Sequence, residues 1–227
     1  MNRSGLLFPG LFATFAISLS VMVFAPYSQI GTLAPDFKEE DGAISDVYPN
    51  AVAGLPEVGK RVYVSQGCQA CHTQIVRSNL SADIKRGWGA RRTVARDYVL
   101  EKGAAFGSTR LGPDLSNLGS ESWRNEPIGD LDKPAKRDAQ WHYLHLYNPL
   151  AINKYSIMPA YSHLFEVRKV SGLGSPEALV LPKESAPEAG FEVVPSADAK
   201  ALVAYLASLN RSHPLKEAGA VSVAQKK

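Results

Sequence analysis

Both cysteines of this 227-residue chain fall in one stretch, Gly67-Cys68-Gln69-Ala70-Cys71-His72. Cys-x-x-Cys-His is the spacing used for covalent attachment of a c-type haem. Two thiols three positions apart fall on neighbouring turns of a short helix, so each can add across one vinyl group of the same porphyrin. His72 then lies under the iron as the proximal ligand. A structural disulfide or a thioredoxin-like redox pair would leave His72 without a task, and no βαβ pattern surrounds the motif. A zinc site would need more soft ligands than two cysteines supply. The expected cofactor is therefore one covalent haem c, held by Cys68 and Cys71.

A second axial ligand has to come from elsewhere in the chain. Met158 is the only methionine beyond residue 22, and it sits in Tyr155-Ser156-Ile157-Met158-Pro159, a segment too interrupted for a helix. A lone core methionine is usually a gap-filler. In a proline-braced loop after a haem motif it reads better as a thioether ligand to the iron, with His142, His145 and His163 as rivals. Ligation by His72 and Met158 would leave no open iron position for oxygen. Between Arg77 and Arg110 stand eight basic residues against three acidic ones. Such a run is usually a solvated face. A haem brings two propionate carboxylates, however, so one or two of these arginines are expected to pair with them, Arg77 or Arg110 first among them. His142 and His145, three apart, lack the acidic or cysteine partners that a separate metal site would use.

These residues need elements to hold them. Pro56-Glu57 opens a helix carrying Val58, Val62 and Tyr63, which runs into Gly67. Ser196 is a plausible N-cap for a second helix bearing Leu202, Tyr205, Leu206 and Leu209. Small residues, Gly59 on the first and Ala201 or Ala204 on the last, favour a close crossing of the two. Asp138 would cap a helix through Trp141, Leu144 and His145 that Asn148-Pro149 ends. Ser120 to Lys136 reads as a charged surface insertion without assignable chemistry. Lys169 to Ala189 reads as a loop, with a hairpin pairing Ala178–Leu181 to Phe191–Val194.

At the N-terminus, Leu6 to Ala25 is a run of 20 residues without a charge, about 30 Å as a helix and long enough to span a bilayer. A cleaved signal peptide competes with this reading, but Pro26 directly after Ala25 hinders cleavage there, so an uncleaved signal anchor is preferred. Arg3 before the span and Asp36, Glu39, Glu40 and Asp41 after it place the remainder outside the cytoplasm. The expected organisation is a transmembrane signal anchor at 1–26, a tether at 27–55, a mono-haem domain at 56–211 and a disordered tail at 212–227. The fold class is mainly α. A net charge of +3 argues against a nucleic-acid protein, and no phosphate-cradling loop or nucleophile elbow supports nucleotide or hydrolytic chemistry.

The two bracketing helices together with Cys-x-x-Cys-His resemble the crossed terminal helices of class I cytochromes c. By that resemblance the carbonyl of Pro113, in Gly112-Pro113-Asp114-Leu115, accepts the ring N–H of His72 and so sets its tautomer and basicity. In series, Cys68-x-x-Cys71-His72-Thr73-Gln74-x-x-Arg77, Gly107-Ser108-Thr109-Arg110-Leu111-Gly112-Pro113-Asp114-Leu115, Trp141-His142-x-x-His145-Leu146-Tyr147-Asn148-Pro149 and Ser156-x-Met158-Pro159-Ala160-Tyr161 resemble the membrane-anchored mono-haem subunit II of cbb3-type cytochrome c oxidases. Ser162-His163 stands where that family would have Pro-Trp. The resemblance implies an electron-transfer subunit of a respiratory oxidase in a bacterial inner membrane, with its haem domain in the periplasm. Its partners would be a haem-copper catalytic subunit and other cytochrome c subunits, and no oxygen chemistry would occur on this chain. An autonomous anchored electron shuttle, or the cytochrome c subunit of nitric oxide reductase, are the alternative roles.

Overall fold

In the computed structural model the uncharged run lies within helix α1 (Gly5–Ile30), which is long and apolar enough to cross a membrane, with none of its most apolar stretch buried. The helix continues four residues beyond the expected end of the anchor. Pro26 has no N–H to give to the turn behind it, and there the helix widens into a π-helical turn, Ser20–Phe24. The structure describes residues 4–40, 43–78, 82–120 and 137–219. They form two compact units, Met1–Asn50 with Val94–Glu101, and Ala51–Thr93 with Lys102–Lys227.

In the first unit, strands β1 (Asp36–Glu40) and β2 (Ala43–Tyr48) form an antiparallel hairpin with a bulge between Lys38 and Glu39. The expected tether is therefore not irregular throughout. Asp97 ties the segment Val94–Glu101 to this unit, accepting hydrogen bonds from the Tyr48 hydroxyl at 2.5 Å and the Val94 N–H at 2.7 Å. Arg96 adds a bond to the Ala34 carbonyl.

The second unit is built on helices. Helix α2 (Leu55–Ser65) carries Pro56 in its first turn, where a missing N–H costs nothing. Helix α3 (Ala139–Tyr147) starts at Asp138, whose carboxylate accepts the Trp141 N–H at 3.0 Å, and it ends at Asn148 before Pro149. Helix α4 (Ala197–Ser208) is capped by Ser196, whose hydroxyl accepts the Ala199 N–H at 3.2 Å. All three starts agree with the sequence. Leu209 lies just past the end of α4 rather than within it.

Helices α2 and α4 cross at the expected small residues. A methyl group placed on Gly59 would lie 1.8 Å from the Ala201 carbonyl oxygen and 2.8 Å from the Tyr205 Cβ, so only hydrogen fits there. One turn on, the rings of Tyr63 and Tyr205 pack at 5.5 Å between centroids. Val62, Leu118, Leu146, Leu202 and Leu206 continue the same core. Gln74 donates to the Tyr205 hydroxyl at 3.0 Å, and Asn117 accepts the Arg211 N–H at 2.8 Å, so a buried polar network fastens the chain leaving α4.

Two expectations about the periphery change. Strand β4 (Phe191–Pro195) pairs antiparallel with β3 (Phe165–Lys169), not with Ala178–Leu181, which contributes a single bond from Leu179 N–H to the Val193 carbonyl. Alternation of apolar and polar side chains marks a strand but not its neighbour, and Val167 facing Val193 supplies the match. The expected tail is also ordered beyond Arg211. Ser212 donates to Asn117 at 2.8 Å, the His213 carbonyl accepts from Arg91 at 2.6 Å, and Leu215 and Ala218 are buried. The expected insertion at Ser120 to Lys136 lies outside the described residues from 121 onward.

Candidate haem-binding site

Gly67 adopts a left-handed conformation, φ +72°, and turns the chain out of α2 into a single 3-10 turn, Cys68–Ala70. The turn closes with the His72 N–H donating to the Cys68 carbonyl at 3.0 Å. This compact turn presents two free thiols and an imidazole together. Residues 106–115 run alongside and satisfy the backbone groups of the motif. The Gln69, Ala70 and Cys71 carbonyls accept from Ser108 N–H, the Thr109 hydroxyl and Gly112 N–H, and the Thr73 carbonyl accepts from Leu115 N–H. At Gly107, φ +82°, an added Cβ would sit 2.1 Å from the His72 carbonyl oxygen.

The Gly112-Pro113 turn lies against the imidazole. His72 Nδ1 is 2.8 Å from the Pro113 carbonyl oxygen. A carbonyl only accepts, so this bond assigns the proton to Nδ1 and leaves the Nε2 lone pair available to a metal. Burial pushes the ring below its ordinary pKa, against the Pro113 bond and the nearby Asp114 carboxylate, which pull the other way. A Cβ on Gly112 would be 2.2 Å from His72 Cε1. Asp114, fully buried, holds the turn in register by accepting from the Thr73 hydroxyl at 2.6 Å, Ile75 N–H at 2.8 Å and Ser116 N–H at 2.9 Å. Asp114 stands in the recognised motif, yet nothing in the sequence separates it from an ordinary turn residue.

Cys68, Cys71 and His72 line a cavity of about 460 Å³, within the roughly 300–1,000 Å³ typical of cofactor pockets. Burial pushes the Cys68 thiol up to about 11, with the Tyr161 hydroxyl acting in the opposite sense. Met158 reaches the same cavity, as do His142 and His145, whereas His163 bonds to Gln66 at 2.8 Å and is exposed. The His145 ring is stacked on Trp141 at 4.9 Å. Burial, His72 and Arg137 lower its pKa to about 4, so it is neutral near pH 7. Among the described residues no group of three or more His, Cys, Asp or Glu side chains is placed to hold a bare metal ion.

Arg77 and Arg110, expected at the propionates, are not brought to the cavity. Both bind the buried carboxylate of Asp83, at 3.1 and 2.6 Å. The Arg77 side chain is 56% exposed, and the Arg110 guanidinium lies over the ring of Trp88, which does line the cavity. Burial raises the Asp83 carboxyl pKa, but the hydrogen bonds from Arg77 and Arg110 outweigh it and hold the group well below the usual carboxylate range. Among the described residues the arginine that lines the cavity is Arg137, one position before the α3 cap.

The side chains that the sequence offers for a covalent haem meet in this one cavity. Two unpaired thiols and a tautomer-fixed histidine stand at one wall and a thioether lines it too, while the buried Trp141 Nε1 and His145 Nδ1 atoms have no hydrogen-bond partner. The donor set and the space fit a haem c. Crossed helices around such a cavity, following a membrane-length helix in the sequence, define a cytochrome c-like domain on an N-terminal anchor. A family model described as cytochrome c oxidase, mono-heme subunit/FixO matches residues 12–172, and the chain belongs to that family. The matched stretch takes in the haem motif, the 107–115 loop, α3 and Met158, and stops short of β4 and α4. Comparison with curated proteins gives no match.

Proposed function

We propose that this chain is the electron-relay subunit of a cbb3-type terminal oxidase, passing single electrons through one covalent haem c to an oxygen-reducing haem-copper subunit. The haem would be held by thioether bonds from Cys68 and Cys71, with His72 and Met158 supplying the nitrogen and sulfur ligands to its iron. When bound, its iron alternates between the ferrous and ferric states and so carries one electron at a time. The polypeptide supplies no acid, base or nucleophile to this chemistry. Its residues set the environment: Pro113 orients His72 and raises its basicity, Met158 favours the ferrous state, and the apolar wall formed by Leu115, Leu118, Leu202 and Leu206 excludes water.

The observation that carries this reading is the His72 Nδ1 to Pro113 carbonyl bond at 2.8 Å, with Met158 in the same cavity. An imidazole so fixed has one nitrogen committed and the other free for iron. The anchor would be uncleaved, with the haem domain on the periplasmic side of a bacterial inner membrane; Arg3 before the span and acidic residues after it support that orientation.

Purification from native membranes tests the assignment. The chain should copurify with a large integral membrane subunit that carries b-type haem and copper, and the assembly should consume oxygen. Extraction as a monomeric haem protein would instead indicate a free shuttle, and consumption of nitric oxide would indicate the reductase.

A further inference from the structure

Helix α3 presents one polar stripe to the cavity. Trp141 and His145 lie four apart on one face of the helix, Arg137 stands one position before its cap, and all three line the cavity wall. Arg137 is buried to 8% exposure, with its guanidinium 5.4 Å from the Trp141 ring centroid. The Trp141 ring is in turn parallel to that of His145 within 7°. Trp141 Nε1 and His145 Nδ1 are buried and have no hydrogen-bond partner. Leaving a buried donor unsatisfied costs about 1–3 kcal/mol, so the Trp141 N–H, with the unpartnered His145 nitrogen and a buried cation beside it, marks a place shaped for an acceptor from outside the polypeptide.

The acceptor fitting one cation and neighbouring neutral ring nitrogens is a carboxylate. A guanidinium binds it through parallel N–H bonds, and an indole N–H has only a donor to offer. We propose that Arg137, Trp141 and His145 form the carboxylate cradle of this cavity and take the haem propionates, while Arg77 and Arg110 serve to brace Asp83. This deepens the haem-binding reading and rests on it. Trp141 holds the cradle rigid by packing between guanidinium and imidazole. Removal of the Arg137 charge leaves a carboxylate uncompensated beside the iron, which favours the ferric state.

Resonance Raman spectroscopy of the purified holoprotein reads this locally, because the propionate-bending band responds to hydrogen bonds at the carboxylates. Trp141→Phe and Arg137→Gln should each shift that band, and Arg137→Gln should also lower the midpoint potential, with Arg137→Lys recovering much of it. Arg77→Gln and Arg110→Gln should leave the band where it is. Should Arg137→Gln fail to accumulate, Trp141→Phe decides alone, since it deletes one N–H and keeps the aromatic ring. A band unmoved by Trp141→Phe and Arg137→Gln at normal haem content, or moved by Arg77→Gln or Arg110→Gln instead, overturns the cradle and leaves the haem reading intact. A wild-type product without haem overturns both.

Discussion

Gly112 lies so close to His72 that a single added methyl group would sit 2.2 Å from Cε1 of the imidazole, while the next residue, Pro113, accepts the ring N–H. Space and hydrogen bond together fix the ring in one orientation.

Gly112→Ala should therefore displace the imidazole and lengthen or break its bond to Pro113. A neutral hydrogen bond is worth about 0.5–1.5 kcal/mol. Loss of the bond makes the ligand less basic and stabilises the ferric state less, so the midpoint potential should rise by tens of millivolts, at about 59 mV per tenfold for one electron. Redox titration of the holoprotein checks the direction; an unchanged potential would mean that the turn does not tune the iron.

Met158→Ala removes the only thioether among the described residues of the second unit. The weak long-wavelength absorption band of thioether-to-iron ligation should disappear from the ferric spectrum, and the midpoint potential should fall. Persistence of that band would move the ligand assignment away from Met158. A low-spin spectrum of bis-histidine type would identify His142 or His145, both of which line the cavity.

The crossing of α2 and α4 makes a sharper claim about stability. Replacing a glycine by alanine inside a helix normally gains about 1 kcal/mol. At Gly59 the new Cβ meets a backbone carbonyl at 1.8 Å, which no side-chain rotation relieves, and overpacking costs roughly 1–3 kcal/mol. Gly59→Ala should lower the denaturation midpoint of the detergent-solubilised holoprotein. A rise would show that the helices are not held this close.

Acid sensitivity should centre on Asp83. Its folded-state pKa is depressed by Arg77 and Arg110, whereas in the unfolded chain it returns to about 3.9. As pH falls below about 4 the unfolded state takes up the proton first, so the contribution present at neutral pH drains away toward the lower folded-state value. Thermal melts of the holoprotein between neutral pH and strong acid should show this loss, and Asp83→Asn should flatten that part of the profile. Parallel slopes for the two proteins would contradict it.

Much of this site is local in sequence and hence legible there. Cys68, Cys71 and His72 define their chemistry by spacing, Asp138 and Ser196 announce helix starts by type, and Gly59 and Ala201 are the small residues that a close crossing demands. What could not be read was which distant groups meet. The excess of positive charge between Arg77 and Arg110 suggested anionic partners, but Asp83, one acidic residue among many basic ones, takes both arginines because its carboxylate is buried between them. Arg137 stands next to a helix cap, just past the stretch read as insertion, and nothing in its local sequence points to the cavity wall where it lies. The β3–β4 pairing was equally hidden, since Phe165 and Pro195 become neighbours through folding over 30 residues.

Electron relay by this chain requires a covalent haem at Cys68 and Cys71, and intact-mass measurement of the mature chain tests this most directly. The wild-type chain should be heavier than its polypeptide by one haem, and replacement of both cysteines by serine should abolish the addition. A wild-type mass equal to the bare polypeptide, or lighter by the two hydrogens lost to a Cys68–Cys71 disulfide, would contradict it.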